Sequence, residues 1–207
     1  MPLDVVSYVL AKKALAAKAA KGLRFIADVE ANASVLTIEG FDKTKAYMIY
    51  VYACNADDEP RNLHMRVNDD TNTNYSWQLE FIIDSSTYLA DQWYGESKKV
   101  DVGRLPAKAC GLAVMFVFSE MFVKSTSRYT ISFVSIGGGG KLPFLFTAYG
   151  EYGIGDPIPS PYSLTIGNVN GYFDYVRVVV YEVMAEWGGR LENASTVYIV
   201  EKWCAGR

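Results

Sequence analysis

Hydrolysis by a serine-histidine-acid triad requires an imidazole, and this 207-residue chain contains a single histidine, His64. It sits in the run Leu63-His64-Met65-Arg66-Val67, where the apolar residues share one parity and His64 shares the other with Arg66. That pattern predicts a solvent-facing strand histidine, and no GxSxG elbow accompanies it. Sites built from two or more imidazoles, HExxH among them, are excluded by composition. Cys54, Cys110 and Cys204 are far apart in sequence, forming neither a CxxC metal pair nor a dense disulfide pattern. They read as three free, buried thiols, with no neighbouring group that would activate them.

Gly137–Gly140 followed by Lys141 invites comparison with a phosphate loop. The motif fails at Ser135, where its first glycine belongs, and at Leu142, where Ser or Thr should follow the lysine. A flexible glycine loop between two strands is the expectation. The stretch Asn68–Asn74 is rich in oxygen donors, and Asp70, Asn72 and Asn74 match the first half of a calcium loop. Tyr75 replaces its glycine and Phe81 its bidentate glutamate, so these residues are weak metal candidates and turn chemistry is the better reading. Carboxylates such as Glu80, Asp84, Glu182 and Glu186 could form a glycosidase pair, but sequence gives no distance between them. Trp93, Tyr94, Tyr149, Tyr152 and Tyr162 fall in expected loops or strand ends, where exposed rings could bind sugar. With 15 tyrosines in the chain, core packing competes with that role for each of them.

The elements that would carry these residues are mostly strands. Half the residues are hydrophobic and 21% are charged, the composition of a packed globular protein. A formal charge of −3 argues against a nucleic-acid binder. No apolar run approaches the ~20 residues that span a bilayer, and the lysines follow the first apolar run instead of preceding it, so neither membrane insertion nor a secretion signal is expected. Residues 5–21 are rich in Ala, Leu and Lys and free of Gly and Pro, which predicts a helix ending at Gly22. Four lysines against Asp4 give residues 1–22 a net charge of +3 and leave −6 for the rest. Such segregation suits a docking arm, with Val5, Val6, Tyr8, Lys12 and Lys13 as its assembly residues.

Beyond Gly22, β-branched and aromatic runs alternate with Gly, Asn, Asp, Ser and Pro clusters. Strands are expected at 24–30, 34–39, 46–53, 62–67, 75–83, 98–102, 111–118, 128–135, 143–149, 162–166, 173–183 and 196–203. The runs 62–67 and 75–83 each have one apolar face and are expected to pair as a hairpin across the loop Asp69–Asn74. Trp77, Leu79 and Phe81 should then face the core.

The segments VVSYVLAKK (Val5–Lys13), LHMRVNDDTNTNYSWQL (Leu63–Leu79), YVRVVVYEV (Tyr175–Val183) and ASTVYIVEKW (Ala194–Trp203) together resemble tailed-phage virion proteins of the tail-fibre or head-fibre type. In that family the N-terminal segment is a helix and the Asn-rich segment is a hairpin with an Asn-Gly-Asp-Thr turn. Here the corresponding residues are Asn68-Asp69-Asp70-Thr71, which lack the glycine. The resemblance implies a jelly-roll-like sandwich in a viral particle and assigns no catalytic residue.

The expectation is therefore an all-β antiparallel sandwich, jelly-roll-like, at residues 23–207, preceded by a helical docking arm at 1–22. Its function would be that of a structural virion subunit, either a fibre, decoration or capsid-associated protein, and not an enzyme. It would need no cofactor, and its partners would be further copies of itself and other virion proteins. A carbohydrate- or receptor-binding module facing a cell-surface glycan is the first alternative, and a glycan-cleaving β-sandwich enzyme is the second.

Overall fold

The computed structural model describes residues 6–9, 22–84, 87–118, 124–125, 128–139 and 144–184. Within them the chain forms strands β1 (Val6–Val9), β2 (Gly22–Ala31), β3 (Val35–Phe41), β4 (Tyr47–Asn55), β5 (Arg61–Val67), β6 (Tyr75–Asp84) and β7 (Thr87–Ser97). They are followed by β8 (Val100–Leu105), β9 (Cys110–Phe118), β10 (Lys124–Ser125), β11 (Arg128–Gly139), β12 (Phe144–Ile154), β13 (Tyr162–Gly167) and β14 (Phe173–Met184). No helix occurs among the described residues, and none there is long and apolar enough to cross a membrane.

Two sheets face each other. The five-stranded sheet has the order β1-β3-β13-β5-β8, and the nine-stranded sheet runs β2-β14-β4-β9-β11-β12-β6-β7 with β10 beside β11. Every pairing is antiparallel except that of β1 with β3. The chain is thus an all-β sandwich. From β2 to β6 it changes sheet at every junction, so each strand's apolar parity must meet the same interior. Leu36, Ile38, Leu63, Met65, Leu164 and Ile166 from the smaller sheet pack on Ile49, Val51, Met115, Phe133, Phe146 and Val178 from the larger, all buried. Period-two burial is visible along β9, where Ala113, Met115 and Val117 point inward, and along β14, where Val176, Val178 and Val180 do.

Four expectations need correction. Val6–Val9 is a strand aligned with Leu36–Glu39, so the helix expected from residue 5 does not include it. The sequence Val-Ser-Tyr-Val is β-branched and aromatic, and β pairing suits it better than helix. Residues 10–21, which hold Lys12 and Lys13, lie outside the described residues, as do Val5 and the expected strand 196–203. The runs 62–67 and 75–83 do not form a hairpin: β5 pairs with β13 and β8, whereas β6 pairs with β12 and β7 in the other sheet. Their alternating patterns fixed which face is apolar but not which neighbour each would choose. The glycines are not a loop either, since Gly137, Gly138 and Gly139 belong to β11 and pair with both β9 and β12. A Cβ on Gly137 would lie 2.2 Å from the Leu112 carbonyl oxygen and 2.5 Å from the Phe146 ring. Glycine is required there because the neighbouring backbone and a core ring approach so closely. Finally, Cys54 and Cys110 form a disulfide, contrary to the reading of free thiols. They stand directly opposite each other on β4 and β9, Cα atoms 3.9 Å apart, a pairing that a sequence separation of 56 conceals. Cys204 lies outside the described residues.

Candidate functional site

Two polar clusters and one apolar face are the features to weigh. The first cluster surrounds His64, which is buried and not solvent-facing as its parity suggested. Its Nδ1 accepts a hydrogen bond from the Val169 N–H at 3.2 Å. Its Nε2 lies 2.7 Å from Lys99 Nζ and 3.4 Å from Asp101 Oδ1, while Asn62 donates to Asp101 Oδ2 at 2.6 Å. The turn after β13 and the Lys99 stem cover an outward position that would otherwise be wet. Burial, and then the Lys99 and Arg66 charges, hold the imidazole well below its ordinary pKa. Burial likewise lowers Lys99. The imidazole is neutral and tied to the backbone, which is how a structural histidine is satisfied.

The second cluster is the loop between β5 and β6. Asp70 accepts from the Asn72 N–H at 2.8 Å, from the Asn72 amide at 2.7 Å, from the Asn74 amide at 2.8 Å and from the Tyr152 hydroxyl at 3.1 Å. Burial opposes its ionisation, but these donors outweigh it and hold the carboxyl below its ordinary value. Asn72 and Asn74 thus turn their donors toward the carboxylate, the arrangement of an Asx-type turn. Among the described residues no group of three His, Cys, Asp or Glu could hold a metal ion.

The carboxylate candidates stay apart. Glu80 on β6 accepts from Gln78, and Glu182 on β14 is paired with Arg24 and, at 3.2 Å, with Lys45. Five strand spacings separate β6 from β14, roughly 24 Å. A glycosidase pair stands ~5–9.5 Å apart. The side chains of Asp84 and Glu186 lie outside the described residues.

Of the ring candidates, Tyr152 and Tyr162 are buried, not exposed: Tyr152 bonds Asp70, and Tyr162 stacks on Phe41 at 5.4 Å. Their strand-end positions fall over the core, which sequence position alone does not reveal. Trp93 and Tyr94 belong to β7, with side chains outside the described residues. Tyr149 is exposed, but on a strand face, where it donates to Gln78 Oε1.

That strand face is the feature the sequence reading missed. On the outer side of the nine-stranded sheet the register aligns rows of apolar residues across successive strands. Val179, Tyr50, Val114 and Ile136 form one row; Tyr181, Met48, Phe116, Val134 and Tyr149 form the next; Tyr52, Leu112, Gly138 and Leu145 form a third. Cross-strand ring contacts join them: Phe25 with Tyr181 at 5.8 Å, Tyr50 with Tyr181 at 5.9 Å and Tyr52 with Tyr175 at 6.0 Å. Phe25, Tyr52, Leu112, Val134, Ile136, Leu145 and Tyr149 are 42–56% exposed. Taking ~200 Å² per large side chain, these residues alone present on the order of 700 Å². A monomer's largest apolar patch is typically ~300–600 Å². Beside it Arg177 pairs with Asp28 at 2.6 and 2.9 Å, and the Tyr175 hydroxyl donates to Glu30 at 2.6 Å. A shallow groove of about 360 Å³ crosses it between Tyr50, Tyr52, Leu112, Tyr175, Arg177 and Val179.

Comparison with protein-family models, curated proteins and solved structures returns no match. The face itself is the strongest functional evidence. The signal was present in the sequence as apolar residues on both parities of 47–53, 112–118 and 175–183, which marks a strand covered on two sides.

Proposed function

We propose that this chain is a structural subunit, part of a virion as the family resemblance implies, and that it acts through assembly and not catalysis. The observation that carries this reading is the apolar outer face of the nine-stranded sheet, which calls for a protein cover in the working assembly. The repeated crossing between sheets supports a jelly-roll-like arrangement, the architecture of many capsid and surface subunits. The Cys54–Cys110 disulfide is at home on a particle surface, where oxidised cysteines persist. In this reading the outer face of the nine-stranded sheet joins subunits.

The test is co-purification with particles. The wild-type chain should be retained in purified particles, whereas Ile136→Arg, which places a charge in the middle of the face, should be depleted from them while melting like wild type. Equal retention of the two would overturn the reading. The groove lined by tyrosines and Arg177 supports a second reading, a carbohydrate-binding module. Saturable glycan-array binding abolished by Tyr52→Ala, together with no particle association, would establish it instead.

A further inference from the structure

The apolar face differs on the two sides of β9. On one side β4 carries Tyr50 and Tyr52, and on the other β11 carries the slimmer Val134, Ile136 and Gly138; farther out, β14 carries Tyr175 and Tyr181, and β12 carries Leu145, Thr147 and Tyr149. We propose that its occupant is a second copy of the same chain, the two nine-stranded sheets stacking face to face about a twofold axis along β9. This inference rests on the structural reading above and names the partner of that surface.

Three observations select a second copy. The first is area, since an exposed apolar surface on the order of 700 Å² per chain approaches the ~800 Å² that each partner of a standard interface buries. The second is charge. Asp28 and Arg177 neutralise each other within the face, so this pair does not call for a partner of opposite charge. The third is shape. Two sheets of the same handed twist pack ~10 Å apart with strands nearly aligned, and an identical copy has the matching twist by construction. A closed twofold contact also requires the patch to be complementary to itself. An axis along β9 meets that demand, because it sets the tyrosines of β4 on the Ile136 and Gly138 side of the other copy, bulky against slim. Val114, on β9, then meets its own counterpart.

The geometry gives a single-residue test. Val114→Cys, made with Cys204→Ser in the full chain, should cross-link to a dimer under mild oxidation, because a residue on the axis faces itself. Thr147→Cys, two strands and so about 10 Å from the axis, should lie roughly 20 Å from its counterpart and should not cross-link. Ile136→Arg and Leu145→Arg, both at exposed positions, should each weaken self-association at least about tenfold, as charge in a desolvated contact does. Matching melts show that each variant folds. Cross-linking through Thr147→Cys in place of Val114→Cys, or association unchanged in both arginine variants, would overturn the proposal. So would a full chain that is monomeric and dimerises only after removal of residues 185–207, which would make its own tail the occupant. A cross-linked dimer that never enters particles would leave this contact standing and remove the virion reading instead.

Discussion

Asn68 and Asp69 take left-handed dihedrals, φ 52° and 50°. Asn and Asp tolerate that region better than other side-chain-bearing residues, so the turn forms without glycine. It is closed by the Asp70 N–H donating to the Val67 carbonyl at 2.9 Å. Asn68 is further used, its Oδ1 accepting from the Ser163 N–H at 2.8 Å. Asp69 makes only a loose 3.5 Å pair with Arg66 while exposed. Asp69→Gly should therefore raise stability by about 0.5–1 kcal/mol in denaturant melts, as relief of a left-handed residue does. His64 gives a pH prediction. Its folded pKa lies well below the unfolded 6.5, so the unfolded chain binds the proton first. Stability should be highest with the imidazole neutral and should fall as pH drops below 6.5 toward the folded pKa. His64→Gln should flatten that part of the stability profile relative to wild type. At this scale the sequence was legible where parity decides, as for Leu63, Met65 and Val67 in the core. It was not legible for His64, Tyr152 or Tyr162, whose burial depends on what a distant turn or loop lays over them.

At the scale of elements, the link between β5 and β6 shows what periodicity leaves open. Alternation gave both strands and their apolar faces, yet the chain between them passes from one sheet to the other instead of folding back as a hairpin. Tyr75 braces that passage from inside: its hydroxyl accepts from the Val67 N–H at 3.1 Å and donates to the Asp70 carbonyl at 2.9 Å. Burial raises its pKa and keeps it a hydrogen-bond donor. Tyr75→Phe should cost about 1–3 kcal/mol, the penalty for leaving buried backbone groups unsatisfied, with little change in secondary structure by circular dichroism. The cysteine pair is the other element-scale lesson, since only the β4–β9 register brings Cys54 opposite Cys110. Thiol titration of the denatured chain should find one reactive group without reductant and three with it. β7 was missed because its run from Thr87 to Ser97 mixes Asp, Gln and Gly with its aromatics, and the glycines of β11 were misread because composition alone suggests mobility.

The whole molecule is a sandwich whose larger sheet is apolar on both sides. The inner side builds the core in the ordinary way. The outer side, from Phe25 to Tyr149, exposes a run of apolar residues, and the proposal that this chain is an assembling subunit depends on it. The sequence contained those residues, but their meaning emerged only when the register placed Tyr50, Val114 and Ile136 in one row. The measurement that bears most directly on this claim is the mass of the unmodified full-length chain by sedimentation equilibrium over a range of concentrations. The account predicts a dimer, twice the 23.0 kDa chain mass, or an even-numbered assembly built from it. A single species at 23.0 kDa up to about 100 μM, a concentration at which standard-size interfaces are saturated, would contradict it.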